Sequence, residues 1–109
     1  MLEVMLFLHS NGIVHRSLMS SYFLVDDKYN LRLINYGFSA PIQGRDGAGL
    51  LMTMVGGYGS MAPEIWAGQA YEGEKVDLFA LGVELFNFYR GIQPFLCALR
   101  RDPHYRTIA

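Results

Sequence analysis

Asp77 to Tyr89, DLFALGVELFNFY, is the stretch whose reading decides the fold. Asp77 is a natural N-cap, because a short carboxylate can accept hydrogen bonds from the first free N–H groups of a helix. Gly91 supplies the stop, since glycine tolerates the left-handed turn that ends helices. Between these signals the residues are apolar almost all the way round, and only Glu84, Asn87 and Arg90 make a narrow polar stripe. Such a helix belongs in the middle of a structure, with other elements on several sides. Gly82 inside it costs roughly 1 kcal/mol of helix propensity against alanine, which predicts that something approaches its backbone closely.

The flanking segments read as what such a helix would pack against. Met1 to His9 reads as the end of a helix, with Gly12 as its stop. Ile13 to His15 is a short strand. Tyr22 to Val25 and Leu31 to Ile34 form a small hairpin about the turn residues Asp26, Asp27, Lys28 and Asn30. Asn35 to Met61 carries seven glycines and little periodicity, so it reads as a long functional or mobile loop. Pro63 opens a short helix, Ala62 to Ala67, and Gly68 to Lys75 is a further loop. After Gly91 the tail IQPFLCALRRDPHYR is irregular, and Pro103 can start a helix for which little chain remains.

Composition narrows the function classes. At 109 residues the chain is one domain, and with 51% hydrophobic and 17% charged residues it is globular. A net charge of −1 gives no general attraction to nucleic acid or to anionic membrane. The single cysteine, Cys97, excludes an internal disulfide and suits a reducing compartment. The longest uncharged runs, Leu50 to Ala62 and Val4 to Val14, fall short of a membrane span. No signal peptide is legible at the N-terminus, so the expected address is cytoplasmic. Six methionines with seven Phe and seven Tyr are greasy for so small a domain, which predicts that some apolar surface meets a protein partner or another copy.

Single features carry no chemistry. His9, His15 and His104 do not stand at metal-ligand spacing with Cys97. Ser17 near His15 lacks the geometry and the orienting acid of a hydrolase. The clusters GRDGAG and VGGYG do not join a strand to a helix as phosphate-cradling loops do.

In order, the pieces say more. LHSNGIVHRS, a hairpin, INYG, a glycine-rich loop, MAPE and VDLFALG together resemble the large lobe of a eukaryotic-type protein kinase. His15-Arg16-Ser17 resembles the HRD start of the catalytic loop, Asn35-Tyr36-Gly37 resembles DFG, and Ala62-Pro63-Glu64 is the family's APE intact. The resemblance implies an α+β fold, mainly α. It would be a partial C-terminal lobe over residues 1–109 with a small hairpin and a central buried helix. The small ATP-binding lobe and the last helices are expected to be absent.

The resemblance also assigns roles, and several are altered here. The catalytic aspartate position holds Ser17, the lysine that offsets phosphate charge is Met19, and the magnesium-holding asparagine is Tyr22. The DFG aspartate, the main metal ligand, is Asn35, whose amide oxygen binds Mg²⁺ more weakly than a carboxylate. Gly57 stands where a Thr or Ser would touch the catalytic aspartate. Scaffold positions read as intact. His15 and Tyr36 resemble the stacked residues linking the two loops, with Gly37 completing the motif, and Leu24 matches the leucine under adenine. Asp77 matches the aspartate that tethers the catalytic loop, and Glu64 would pair with an arginine beyond this chain's end. Thr53 falls at the activating phosphosite, with Arg16 as the arginine that grips it. ATP and Mg²⁺ are implied by the family only, and no cofactor is expected. The reading is a catalytically inactive kinase-like piece with a binding or scaffolding role. Its rivals are part of an ATP-dependent Ser/Thr kinase and a non-functional fragment. Bare apolar residues on the Asp77 helix, Phe79, Phe86 and Phe88 among them, are expected to drive self-association or partial unfolding.

Overall fold

The computed structural model describes residues 2–19, 22–42, 49–52, 54–57 and 59–108. Its elements run α1 (Leu2–Ser10), β1 (Ile13–Val14), β2 (Phe23–Val25), β3 (Leu31–Leu33), β4 (Ala40–Pro41), α2 (Pro63–Trp66), α3 (Gly73–Arg90) and α4 (Pro103–Ile108). The α+β class, mainly α, follows. β2 and β3 form the expected antiparallel hairpin, with Phe23 opposite Leu33 and Val25 opposite Leu31. β1 finds a partner inside the glycine-rich stretch, where Val14 pairs with Ala40 and Ile13 with Pro41. Leu51 and Tyr71 make a further isolated bridge. Among the described residues, no helix is long and apolar enough to cross a membrane.

α3 is the common wall of three apolar clusters. Ala80 and Leu81 join Met5, Leu8, Leu18, Phe23 and Leu33. Val76 joins Val14, Leu51, Met61, Ala62, Ile65 and Tyr71, and Val83 joins Phe95 and Ala98. The molecule is nonetheless a slab of 41 × 39 × 18 Å. A helix with its side chains is already about 10–12 Å across, so α3 cannot be enclosed. Leu78, Leu85, Phe86, Phe88 and Tyr89 all lie exposed. Phe79 does not belong with them, because its ring packs between two of the clusters and lies 6.0 Å from that of Phe95.

The helix boundaries correct four expectations. α3 begins at Gly73, one turn before Asp77, and its N-cap residue is Glu72 with no side-chain cap. Asp77 is therefore inside the helix, and the loop expected to reach Lys75 ends at Glu72. The close backbone approach is at Gly73 and not at Gly82. A Cβ on Gly73 would meet the Val14 side chain at 2.6 Å, whereas one on Gly82 meets nothing within 4 Å. Glu84 does not form part of an open polar stripe: it is buried and accepts a hydrogen bond from the Ser60 hydroxyl at 2.8 Å. The helix ends as expected, with Gly91 in the left-handed region at φ 73° and its N–H on the Asn87 carbonyl.

The tail is more ordered than its composition suggests. Buried Asp102 accepts the N–H groups of His104 and Tyr105 with one oxygen and those of Leu96 and Cys97 with the other. One carboxylate thus caps α4 and ties the preceding loop to it. Burial alone would raise its pKa, but these four backbone donors outweigh that and hold it below the usual aspartate value.

Candidate functional site

The site is built on the carboxylate of Asp77. This side chain is 1% exposed and points from the second turn of α3 at the segment after β1. Its Oδ2 accepts the His15 N–H at 2.8 Å, and its Oδ1 accepts the Arg16 N–H at 2.8 Å. His9, from the end of α1, adds a third bond from Nε2 at 2.9 Å. One helix residue therefore fixes two other segments. The bonds also hold Arg16 at φ 66°, a left-handed conformation that costs an L-residue about 1–2 kcal/mol.

His15 continues the chain of contacts inward. Its Nδ1 accepts the Ser17 N–H at 3.2 Å, so Nε2 carries the proton and donates to the Ile34 carbonyl at 3.2 Å. Its ring meets that of Tyr36 edge-on, 5.1 Å between centroids. Burial lowers its pKa below the ordinary value of 6.5, against the opposing pull of the Ile34 carbonyl and the Asp77 charge. A neutral imidazole thus links the segment after β1 to the one after β3.

Arg16 is tied to the segment after β3 and to the loop before α3 through neutral partners. Its Nε donates to the Phe38 carbonyl at 2.6 Å and its Nη1 to the Tyr71 hydroxyl at 3.2 Å. Among the described residues it enters no salt bridge. Thr53, its expected phosphorylated partner, lies outside the described residues.

The residues to which the resemblance assigns chemistry are placed as follows. Ser17 is buried and offers only a neutral hydroxyl. Met19 lies against Gly57, where an added Cβ would meet its sulfur at 2.8 Å. Tyr22 packs its ring on the cluster of Met5, Leu18 and Phe23. Asn35 sits at φ 63°, a conformation asparagine tolerates, and its Oδ1 faces the Gly37 N–H at 3.4 Å. Leu24 is exposed on β2. Mg²⁺ prefers hard oxygen ligands, carboxylates above all. A serine hydroxyl, a core-packed tyrosine and one amide do not fit that ion. Among the described residues, no three His, Cys, Asp or Glu side chains could hold a metal together.

Glu64 at the start of α2 is half-buried rather than buried, and among the described residues it enters no salt bridge. The residues that sequence reasoning missed are His9, Phe38 and Tyr71. The Phe38 contact is a backbone carbonyl, invisible to residue type. His9 and Tyr71 are far in sequence from what they touch, and no local pattern signals either.

The family described as Protein kinase domain matches residues 1–107. CBL-interacting serine/threonine-protein kinase 14 of Arabidopsis thaliana is 38% identical over 87 residues, which cover 80% of this chain and 20% of that protein. CBL-interacting protein kinase 11 of Oryza sativa subsp. japonica is 37% identical over 87 residues, 80% of this chain and 17% of its own length. Maternal embryonic leucine zipper kinase of Danio rerio is 36% identical over 94 residues, 86% of this chain and 14% of its own length. The chain thus spans about a fifth or less of the curated relatives it matches.

Proposed function

This chain belongs to the protein kinase domain family, and we propose that it transfers no phosphate and works, within that family, as a binding or scaffolding piece. One observation carries the proposal. Asp77 holds the loop after β1 by the N–H groups of His15 and Arg16, and the next residue, matched by resemblance to the family's catalytic aspartate, is Ser17. A neutral hydroxyl cannot accept the substrate proton near pH 7. General acid–base help is worth roughly 10²–10⁴ in rate. Met19, Tyr22 and Asn35 weaken charge neutralisation and metal binding at the same centre. No cofactor is needed for such a role, and the single cysteine suits a reducing, cytoplasmic setting.

The rival reading, a segment of a working Ser/Thr kinase, is favoured by the names of the relatives. Both readings meet in one assay. The chain is incubated with γ-labelled ATP, Mg²⁺ and a generic Ser/Thr substrate, beside a sample with a chelator. No label above the chelated control is expected. Label that the chelator abolishes overturns the proposal. Calorimetry adds a second readout, and Mg²⁺-dependent ATP binding at micromolar affinity would count equally against it.

A further inference from the structure

We propose that the Met19 thioether is a peroxide-sensitive modification site, and that its oxidation to the sulfoxide releases the glycine-rich stretch before α2 from the loop after β1. The inference goes beyond the reading above and does not depend on whether phosphate is transferred. The two segments meet almost backbone to backbone. A Cβ on Gly56 would lie 3.0 Å from the Arg16 carbonyl oxygen, and one on Gly57 would lie 2.8 Å from the Met19 Sδ and 3.2 Å from its Cγ. The Met19 side chain therefore occupies the place that a side chain at position 57 would take, with its sulfur at the contact. Each segment is fastened to α3 separately. Asp77 holds the His15 and Arg16 N–H groups, and Glu84 accepts the Ser60 hydroxyl. Met19 thus fills the seam between two independently anchored loops.

Methionine oxidation turns a flexible apolar group into a polar one, and susceptibility follows access. Met19 is half-buried, whereas Met5, Met61 and Cys97 are buried. A small peroxide therefore reaches the Met19 sulfur while the core sulfurs are shielded. In the step, the sulfur attacks one peroxide oxygen, an S–O bond forms and the O–O bond breaks. Sulfur gives up two electrons, and the other oxygen leaves as water with both hydrogens of hydrogen peroxide. The new oxygen has no room against Gly57, where even a carbon would stand 2.8 Å from the sulfur. A sulfoxide oxygen held there without a hydrogen-bond donor would also be costly. It is accommodated by turning the group towards water, which withdraws the sulfur from the seam. A thiol-dependent reductase reverses the step, and the oxygen leaves as water.

Hydrogen peroxide added to the full 109-residue chain tests this, with sulfoxide read at each methionine by peptide mapping and local opening read by hydrogen exchange. Met52 and Met54 are exposed, so Met52→Leu and Met54→Leu are introduced together to keep their oxidation out of the exchange readout. In that background Met19 is expected to oxidise at least about tenfold faster than Met5 and Met61. Amide exchange at Gly56, Gly57 and Ser60 is expected to rise about fivefold as the Met19 sulfoxide accumulates. Methionine sulfoxide reductase with dithiothreitol is expected to restore the starting rates. Adding Met19→Leu, which is close in volume and has no sulfur, is expected to leave helicity by circular dichroism unchanged and to abolish the response to peroxide. Met19 oxidised no faster than the buried methionines, unchanged exchange at full conversion of Met19, or an equal rise in the Met19→Leu chain would each overturn the proposal.

Discussion

Replacing Asp77 by asparagine, a change of almost no volume, is expected to cost nearly as much as replacing it by alanine. The carboxylate accepts three hydrogen bonds, two on Oδ2 from His15 N–H and His9 and one on Oδ1 from Arg16 N–H. An amide has one acceptor, and its NH₂ would face a backbone N–H at 2.8 Å, donor against donor. A hydrogen bond to a charged group contributes about 1.5–3 kcal/mol, and a buried donor left unpaired costs about 1–3 kcal/mol. Losing the tether also removes the backbone hydrogen bond that supports Arg16 at φ 66°. The loss for Asp77→Asn is then about 3–5 kcal/mol, the range for breaking a buried charged network, against a net stability of about 5–15 kcal/mol for a domain of this size. His9→Ala, which removes one of the three bonds to this carboxylate, is expected to cost about 1.5–3 kcal/mol. Urea unfolding at one fixed low concentration, followed by circular dichroism and by the fluorescence of Trp66, measures all three variants. An asparagine variant within about 1 kcal/mol of wild type would show that the two oxygens do not hold the loop, and the reasoning would fail.

Two further predictions use the same unfolding assay. Gly73→Ala and Gly82→Ala, nine residues apart in one helix, are expected to differ in sign. The first drives a Cβ to 2.6 Å from the buried Val14 side chain and is expected to destabilise by about 1–3 kcal/mol despite the better helix former. The second meets open space and is expected to stabilise by up to about 1 kcal/mol. For pH, the folded pKa of His15 is depressed, so between that value and 6.5 the unfolded chain binds the extra proton. Stability from this group is present above pH 6.5 and falls as pH drops towards the folded pKa. Wild type is expected to lose stability faster than His15→Gln between about pH 7 and 5.5, and equal slopes would refute the neutral buried imidazole.

Much of this frame was legible in the residues because its signals are local. The hairpin announces itself through Asp26 and Asn30 between two apolar runs, and Asp26 does accept the Lys28 and Asn30 N–H groups. Pro63 and Gly91 mark their helix ends as expected. Asp77 misled, because a capping residue and a buried tether look alike in sequence. The true start is Gly73, chosen by contact with Val14, and that contact is non-local. Gly82 misled for a related reason: a glycine permits close approach but does not identify the neighbour. At the tail, Pro103 was read and Asp102 passed over, although Asp before Pro is the local pattern of a capped helix start.

The site residues divide by what their side chains touch. His15 and Asp77 are buried and satisfy backbone groups of other segments, so their loss would cost the fold itself. Met19 and Tyr22 carry no such duty in this chain. Tyr22 adds apolar area to a cluster, and Met19 fills space that Gly57 leaves open. Neither change burdens folding, and burying tyrosine or methionine surface contributes favourably. Restoring only the chemistry would reverse that. Met19→Lys would set an ammonium beside Gly57 in a half-buried position, and charge is costly there without a partner. The frame and the reacting centre are thus separable in energy.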